Sequence, residues 1–360
     1  MTARKPGKRR FFSFDSFSAN FYFRDTVNRE RTLWHLIAIS MGLLVAGCSG
    51  ESLQLHGTSG LVGSTGSEAN SAKHALPDGS PRHPLRVMLV PADGGTEDGT
   101  RADFEPIFDA ISRAYQLKFE IHVGHSYNAV IEAMANDQVD VAFFGAVSYD
   151  LARRRGVAQL LAVEERNGES VYYSGIFCRA DSTFKTLTDL KGKTVAFGDI
   201  HSTSSFNYPV AMLIKAGVDP GADLSGVYLA GSHANSLQAL AAGKVDAACA
   251  SYVSFEKAVQ AGKLDPKMIR PLAKSDPIPS PPIAMHVKLD DSVKARLKDA
   301  FRTIHQHEGI RPEMLRGYGG KQVDRYNADF SEEQFAEAIA VLQSVADNVK
   351  EGIRRKASEG

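Results

Sequence analysis

Four hydroxyl residues in succession, Ser202, Thr203, Ser204 and Ser205, follow the apolar run Val195-Ala196-Phe197 in "VAFGDIHSTSSFNYP". A strand ending at Phe197 would deliver them to the first turn of a helix. There, backbone N–H groups without intrahelical partners and the positive end of the helix dipole together favour an anion. Hydroxyls add donors without adding charge, so such a run can surround an oxyanion and release it again. The same spacing also fits a plainer arrangement, with one serine capping the helix and the others meeting water. His201, just before the run, offers a further donor, and Pro209 removes one intrahelical bond and sets the first turn off from the rest. The chain has no GxxxxGK[ST] loop and no GxGxxG after a strand, which argues against nucleoside triphosphate and dinucleotide ligands.

Other chemistries fit less well. Ser202, His233 and an aspartate in one half of the chain would serve a hydrolase, but there is no GxSxG elbow, and four adjacent hydroxyls look more like a cradle than one activated nucleophile. His305 and His307 lie two apart on an expected helix and so point to different faces, which makes a poor metal site. Neither a cofactor nor a metal is expected. Lys+Arg and Asp+Glu are both 42 in 360 residues, without a clustered basic face, so no nucleic-acid partner is expected.

The elements that must position these residues begin at Leu85. "LRVMLVP" reads as a strand, Phe104, Ile107, Phe108, Ile111 and Tyr115 form one helical stripe, and "LKFEIHV" alternates as a second strand. "SYNAVIEAMAND" reads as a helix capped by Ser126 with Val130, Ile131 and Met134 inward, and "VDVAFFG" as a third strand. The pattern then restarts: strands "SGIFCRA" and "KTVAFGD", helix "FNYPVAMLIKAG" ended by Gly217, strand "SGVYLAG", helix "HANSLQALAAGK" and strand "VDAACAS". Each half thus contains a helix followed by a Val-Asp-apolar strand, an apparent duplication. "PIAMHV" returns as a strand, with helical segments over roughly 290–308 and 331–354. Alternation of this kind implies α/β lobes with largely parallel sheets. Two lobes crossed twice by the chain leave a cleft.

Upstream, basic residues run to Arg31, followed by "LIAISMGLLVAG" and Cys48. The run is too short to span a bilayer but suits the apolar core of a signal peptide. "VAGC" resembles the lipobox of bacterial lipoproteins, which implies cleavage before Cys48 and lipidation of its thiol. Residues 49–84, rich in Gly and Ser, read as a flexible tether. Cys178 and Cys249 fall in apolar strands, where buried free thiols are expected, with a disulfide between them as the alternative open to an exported protein.

"LKGKTVAFGDIHSTSSFNYP", "GSHANSLQALAAGKVDAACAS", "SYNAVIEAMANDQVDVAFFGAVSYDLA" and "IPSPPIAM" together resemble the periplasmic phosphonate/phosphite-binding proteins of ABC importers. The resemblance implies a two-lobed periplasmic-binding-protein type II fold, each lobe a mixed, mainly parallel sheet flanked by helices. The lobes would be 85–175 and 176–278, with 279–360 completing the first and adding C-terminal helices. It implies that Ser202, Thr203 and Ser204 hold phosphoryl oxygens and that Tyr127 closes over them from the other lobe. It further suggests roles for Tyr149, His233 and Asp246. Each has an alternative: Tyr127 packed on the lobe surface, Tyr149 in the core, His233 as a helix cap, and Asp246 structural like its twin Asp140. Ser205 stands where the family commonly has glycine, and either narrows the backbone's approach or supplies another hydroxyl. Gly145-Ala146 stands where Gly-Pro is common.

The function implied is extracytoplasmic capture of phosphonate, phosphite or phosphate by a lipid-anchored, monomeric binding protein that hands its ligand to an ABC permease. A sensor of the same fold is the alternative.

Overall fold

The computed structural model describes residues 77–92 and 97–359, so the leader, the Cys48 lipidation site and the tether up to residue 76 lie outside the described residues. In chain order the first lobe contains β1 (Leu85–Leu89), α1 (Glu97–Tyr115), β2 (Phe119–Val123), α2 (Tyr127–Ala135), β3 (Val141–Phe143), α3 (Ala146–Arg154) and β4 (Ala158–Glu165). A short strand β5 (Val171–Tyr172) leads into the second lobe: β6 (Ser174–Arg179), β7 (Thr194–Phe197), α4 (Tyr208–Lys215), β8 (Gly226–Leu229), α5 (His233–Ala241), β9 (Ala247–Ser251), α6 (Tyr252–Gln260) and β10 (Ile269–Lys274). β11 (Ile278–Pro279) pairs antiparallel with β5 at the hinge, and the chain continues through β12 (Pro282–His286), α7 (Asp291–Thr303), β13 (Arg325–Asn327), α8 (Ala336–Gln343) and α9 (Asp347–Ser358). No helix among the described residues is long and apolar enough to cross a membrane.

The first sheet runs β13-β4-β12-β3-β1-β2 and the second β10-β6-β9-β7-β8. Parallel pairing is confined to β2-β1-β3 and β8-β7-β9, the strands joined by crossover helices. The strands on the hinge side, β12 against β3 and β6 against β9, pair antiparallel because they carry the chain between the lobes. The sheets are therefore mixed, with a smaller parallel share than strand–helix alternation alone suggests.

Side chains alternate across each strand, so a strand covered by helices on both faces must be apolar throughout. The second sheet shows this. Ile176, Val195, Phe197 and Cys249 pack on the α4 side, whereas Phe177, Ala196, Ala248 and Ala250 pack on the α5 side. Cys178 and Cys249 are buried free thiols, and burial pushes the Cys249 thiol up.

The duplication extends to single residues. Asp140 at the start of β3 exchanges backbone hydrogen bonds with Arg86: its carboxylate accepts the Arg86 backbone N–H at 2.8 Å, and its own N–H donates to the Arg86 carbonyl at 2.9 Å. Asp246, before β9, does the same with Thr194, at 2.9 Å for each bond. Gly217 takes a left-handed φ of +76° just beyond α4, as the expected helix end requires.

The segment expected as one helix over 331–354 is broken between α8 and α9. Val345 and Ile353 join the second lobe's core, and Lys356 bonds the Leu224 carbonyl. The chain therefore crosses between the lobes a third time, where two crossings were expected. The apolar stripe of α9 required a sheet, and the open face beside β8 supplied it.

Candidate functional site

Residues that follow the C-terminal ends of β1, β3, β7 and β8 come together between the lobes, the place where open α/β sheets hold ligands. A small cavity of about 10 Å³, roughly the room one water needs, lies there. The first lobe contributes Val90, Ala92, Phe143 and Tyr127; the second contributes Ser202, Thr203, Ser204 and His233. Tyr172 and Pro281 come from the hinge and Tyr318 from the loop before β13. No lysine, arginine or carboxylate side chain is among the described residues that line it.

Ser202 caps the turn that opens α4, its Oγ accepting the Ser205 N–H at 3.2 Å. That turn, Thr203–Asn207, is a wide π-type turn. In a regular α-helix Pro209 would lie four residues beyond Ser205, and it has no N–H to give that carbonyl. The Gly198 N–H donates to Ser205 O instead, at 3.0 Å, folding the strand end back on the turn. The expected separation of the first turn by Pro209 is thus present, and one serine caps the helix as the plainer reading has it, but the other hydroxyls are buried instead of meeting water. Ser202 caps the helix while Ser202, Thr203 and Ser204 line the cavity.

Thr203 Oγ1 accepts the Val147 N–H of α3 at 3.0 Å across the lobes. The approach is so close that a Cβ on Gly145 would sit 3.0 Å from the same oxygen. Burial pushes the Tyr172 hydroxyl up, with the nearby Ser204 and Thr203 side chains opposing that shift.

His233 begins α5, behind its cap Ser232. Its Nδ1 accepts the Ser251 backbone N–H at 2.9 Å, so a neutral ring carries its proton on Nε2. Nε2 lies 3.4 Å from Ser202 Oγ and 3.5 Å from Tyr127 Oη. Tyr127 opens α2 behind Ser126, whose Oγ accepts the Ala129 N–H at 3.1 Å as the sequence implied. The starts of α2, the α4 turn and α5 thus converge on one cavity with hydroxyls and an imidazole N–H. The arrangement can donate many hydrogen bonds to an oxyanion without a formal countercharge.

Four expected residues lie elsewhere. Ser205 turns its buried Oγ toward Gly198, without a hydrogen-bond partner, because its backbone is pinned by Ser202 and Gly198. Tyr149 bonds Glu332 and packs on Phe335, beneath the C-terminal segment. Asp246 is committed to the strand start described above. His201 bonds Asp199, its backbone N–H at 2.7 Å and its ring at 3.1 Å, and faces a separate groove beside α9.

Tyr172 and Tyr318 escaped the sequence reading. The only signals were the aromatic pair in "VYY" at the hinge and "GYGG" far downstream, and neither has a spacing relation to the hydroxyl run. No group of three or more His, Cys, Asp or Glu able to hold a metal occurs among the described residues.

The family model for the periplasmic substrate-binding protein of phosphonate ABC transporters matches residues 95–329. The phosphate-import protein PhnD of Mycolicibacterium smegmatis is 30% identical over 253 residues, covering 67% of this chain and 78% of that protein. Among solved structures, a binding protein component of an ABC phosphonate transporter from Pseudomonas aeruginosa aligns with a TM-score of 0.62 at 20% identity, over 77% of this chain and 99% of its own. PhnD1 from Prochlorococcus marinus in complex with methylphosphonate aligns at 0.61 and 17% identity, over 72% and 97%. At these identities the two structures establish the fold: a two-lobed periplasmic binding protein of type II.

Proposed function

This chain belongs to the periplasmic substrate-binding proteins of phosphonate ABC transporters, and on that premise we propose that its inter-lobe cavity captures a small phosphorus oxyanion for an ABC permease. Proteins of this family work outside the cytoplasm. The observation that carries the ligand reading is the convergence of Ser202, Thr203, Ser204, His233 Nε2 and Tyr127 Oη, with three helix starts, on one small cavity. Phosphate, phosphite and methylphosphonate share the tetrahedral oxygens such donors address. The Mycolicibacterium relative is named for phosphate import and the Prochlorococcus neighbour holds methylphosphonate, both within that class.

Binding without chemistry is supported by the same histidine. A Ser-His hydrolase needs an imidazole nitrogen free to take the serine proton. Here Nδ1 faces a backbone N–H, so the nitrogen beside Ser202 is the protonated one and acts as a donor. We further propose that the protein acts as a monomer held at the membrane by a lipid on Cys48, with residues 49–84 as tether.

Thermal unfolding of the full chain with millimolar methylphosphonate, phosphite, phosphate, 2-aminoethylphosphonate or sulfate tests the ligand reading. A ligand at a thousand times its Kd adds about 4 kcal/mol. In a domain of this size each kcal/mol raises Tm by about 2–4 °C. A shift with a phosphorus oxyanion and none with sulfate is expected; no shift with any phosphorus oxyanion overturns it.

A further inference from the structure

Helix α6 of the second lobe meets the first lobe beside the cavity, through a cluster of hydroxyls and two ion pairs. Ser251 and Ser254 hydroxyls hydrogen-bond each other at 2.9 Å, and both bond Tyr318 Oη, at 2.9 and 2.8 Å. The three buried hydroxyls form a closed ring in which each can donate to the next, and such rings strengthen cooperatively. Tyr318 belongs to the first lobe, where its ring packs on Phe143 and Tyr172. Two ion pairs flank the ring: Lys257 to the buried Asp103 at 2.5 Å, and Lys321 to Glu256.

Tyr318 is held for this contact from both ends of its peptide. Buried Glu164 accepts its backbone N–H at 2.8 Å, and Arg166, paired with Glu164 at 2.7 Å, donates to its carbonyl at 3.0 Å. The loop fits so closely that a Cβ on Gly317 would lie 2.1 Å from Glu164 Oε2. Gly320, at φ +67°, leaves no room for one against Asp103 Oδ1 at 2.7 Å. A largely buried ion pair spent on the backbone of one loop tyrosine is a large commitment unless that tyrosine's position matters.

We propose that Tyr318, clamped by Glu164 and Arg166 and docked on α6, is a closure latch that keeps a closed state populated in the ligand-free chain. Tyr318 is a positioning residue: it acts on the equilibrium between open and closed lobes. Its consequence for ligand affinity rests on the reading of the inter-lobe cavity as the ligand site. A ligand that needs the closed state binds more weakly by the factor in which that state is depleted. The ring also abuts the imidazole site, since the Ser251 N–H that fixes the His233 tautomer lies on the residue whose Oγ meets Tyr318.

Spin labels at Asp109→Cys and Lys244→Cys, exposed positions on the two lobes, report the inter-lobe distance in the full chain by double electron–electron resonance. The measurement is made without ligand, then with methylphosphonate and with phosphate. Tyr318→Phe keeps the ring and loses the hydroxyl; Ser254→Ala attacks the same ring from α6 with minimal change in volume. Each is expected to lower the ligand-free closed-to-open ratio about 3- to 10-fold, the range for hydrogen bonds of this kind. The double variant is expected to fall little further, because both remove one network. Wild type showing only open distances without ligand, or Tyr318→Phe matching wild type, overturns the latch. If either oxyanion closes wild type while Tyr318→Phe equals it without ligand, the latch fails and the oxyanion reading survives. If Tyr318→Phe opens the lobes and neither oxyanion affects wild type, the reverse holds.

Discussion

The Ser251 backbone N–H donates to His233 Nδ1 at 2.9 Å and thereby turns the Nε2 proton toward Ser202 and Tyr127. A β9 residue thus decides which nitrogen faces the ligand. Replacing His233 with alanine removes one donor to a charged ligand, worth about 1.5–3 kcal/mol. Calorimetric titration with methylphosphonate or phosphate is expected to show a loss of about 10- to 100-fold. Affinity within about 2-fold of wild type, less than the weakest such bond allows, contradicts the assignment.

Ser205 is a hydroxyl buried with nothing to bond. An unpaired buried hydroxyl costs about 1–3 kcal/mol of desolvation. Ser205→Ala is therefore expected to raise Tm by about 2 °C or more while leaving ligand affinity unchanged. If Ser205→Ala weakens binding about 10-fold, Ser205 belongs to the cradle after all.

Asp246 and Tyr149 separate ligand contact from scaffold. Asp246→Ala leaves the Thr194 N–H without its acceptor, and Tyr149→Phe removes the bond to Glu332. Each is expected to lower unfolding free energy by about 1 kcal/mol in urea titrations, with affinity retained. Loss of affinity in folded Asp246→Ala would return that carboxylate to the ligand site.

These two residues also show what the sequence could and could not reveal. Helix starts and caps are local, so the cap at Ser126 and a cap within the strand-end hydroxyl run could be placed from neighbours alone. The duplicated Val-Asp start was visible too, and comparison with Asp140 pointed to the strand-start contact that Asp246 makes. Tyr318 was invisible because it reaches the cavity through a loop 154 residues after the glutamate that holds it. The α9 stripe announced an apolar face but not which lobe would cover it, since strand order at the β8 edge is a long-range outcome. Ser205 misled because its side-chain direction follows from Pro209 and Gly198, four residues after it and seven before.

Glu164 gives a pH signature. Burial outweighs Arg166 and raises its carboxyl above the ordinary glutamate range. A raised acid pKa in the folded state contributes stability that is fully present below the unfolded pKa and lost as pH rises through the folded one. Glu164→Gln cannot ionise and lacks that dependence. Melting from pH 4 to pH 8 is expected to show the wild-type advantage over Glu164→Gln largest at the acid end and shrinking upward. An advantage that grows with pH contradicts the raised carboxyl and marks the Glu164–Arg166 pair as a fully ionised bridge.

Calorimetric titration of Ser202→Ala/Ser204→Ala beside wild type, with methylphosphonate and with phosphate, tests whether Ser202, Thr203 and Ser204 hold the oxyanion. Ser202→Ala also removes a helix cap worth about 1 kcal/mol, so the folded fraction is first fixed by circular dichroism. Two hydrogen bonds to a charged ligand are lost, and affinity is expected to fall about 100-fold or more for whichever oxyanion wild type binds. A folded double variant that binds within about 3-fold of wild type would mean that the hydroxyl run shapes the helix start and the ligand lies elsewhere.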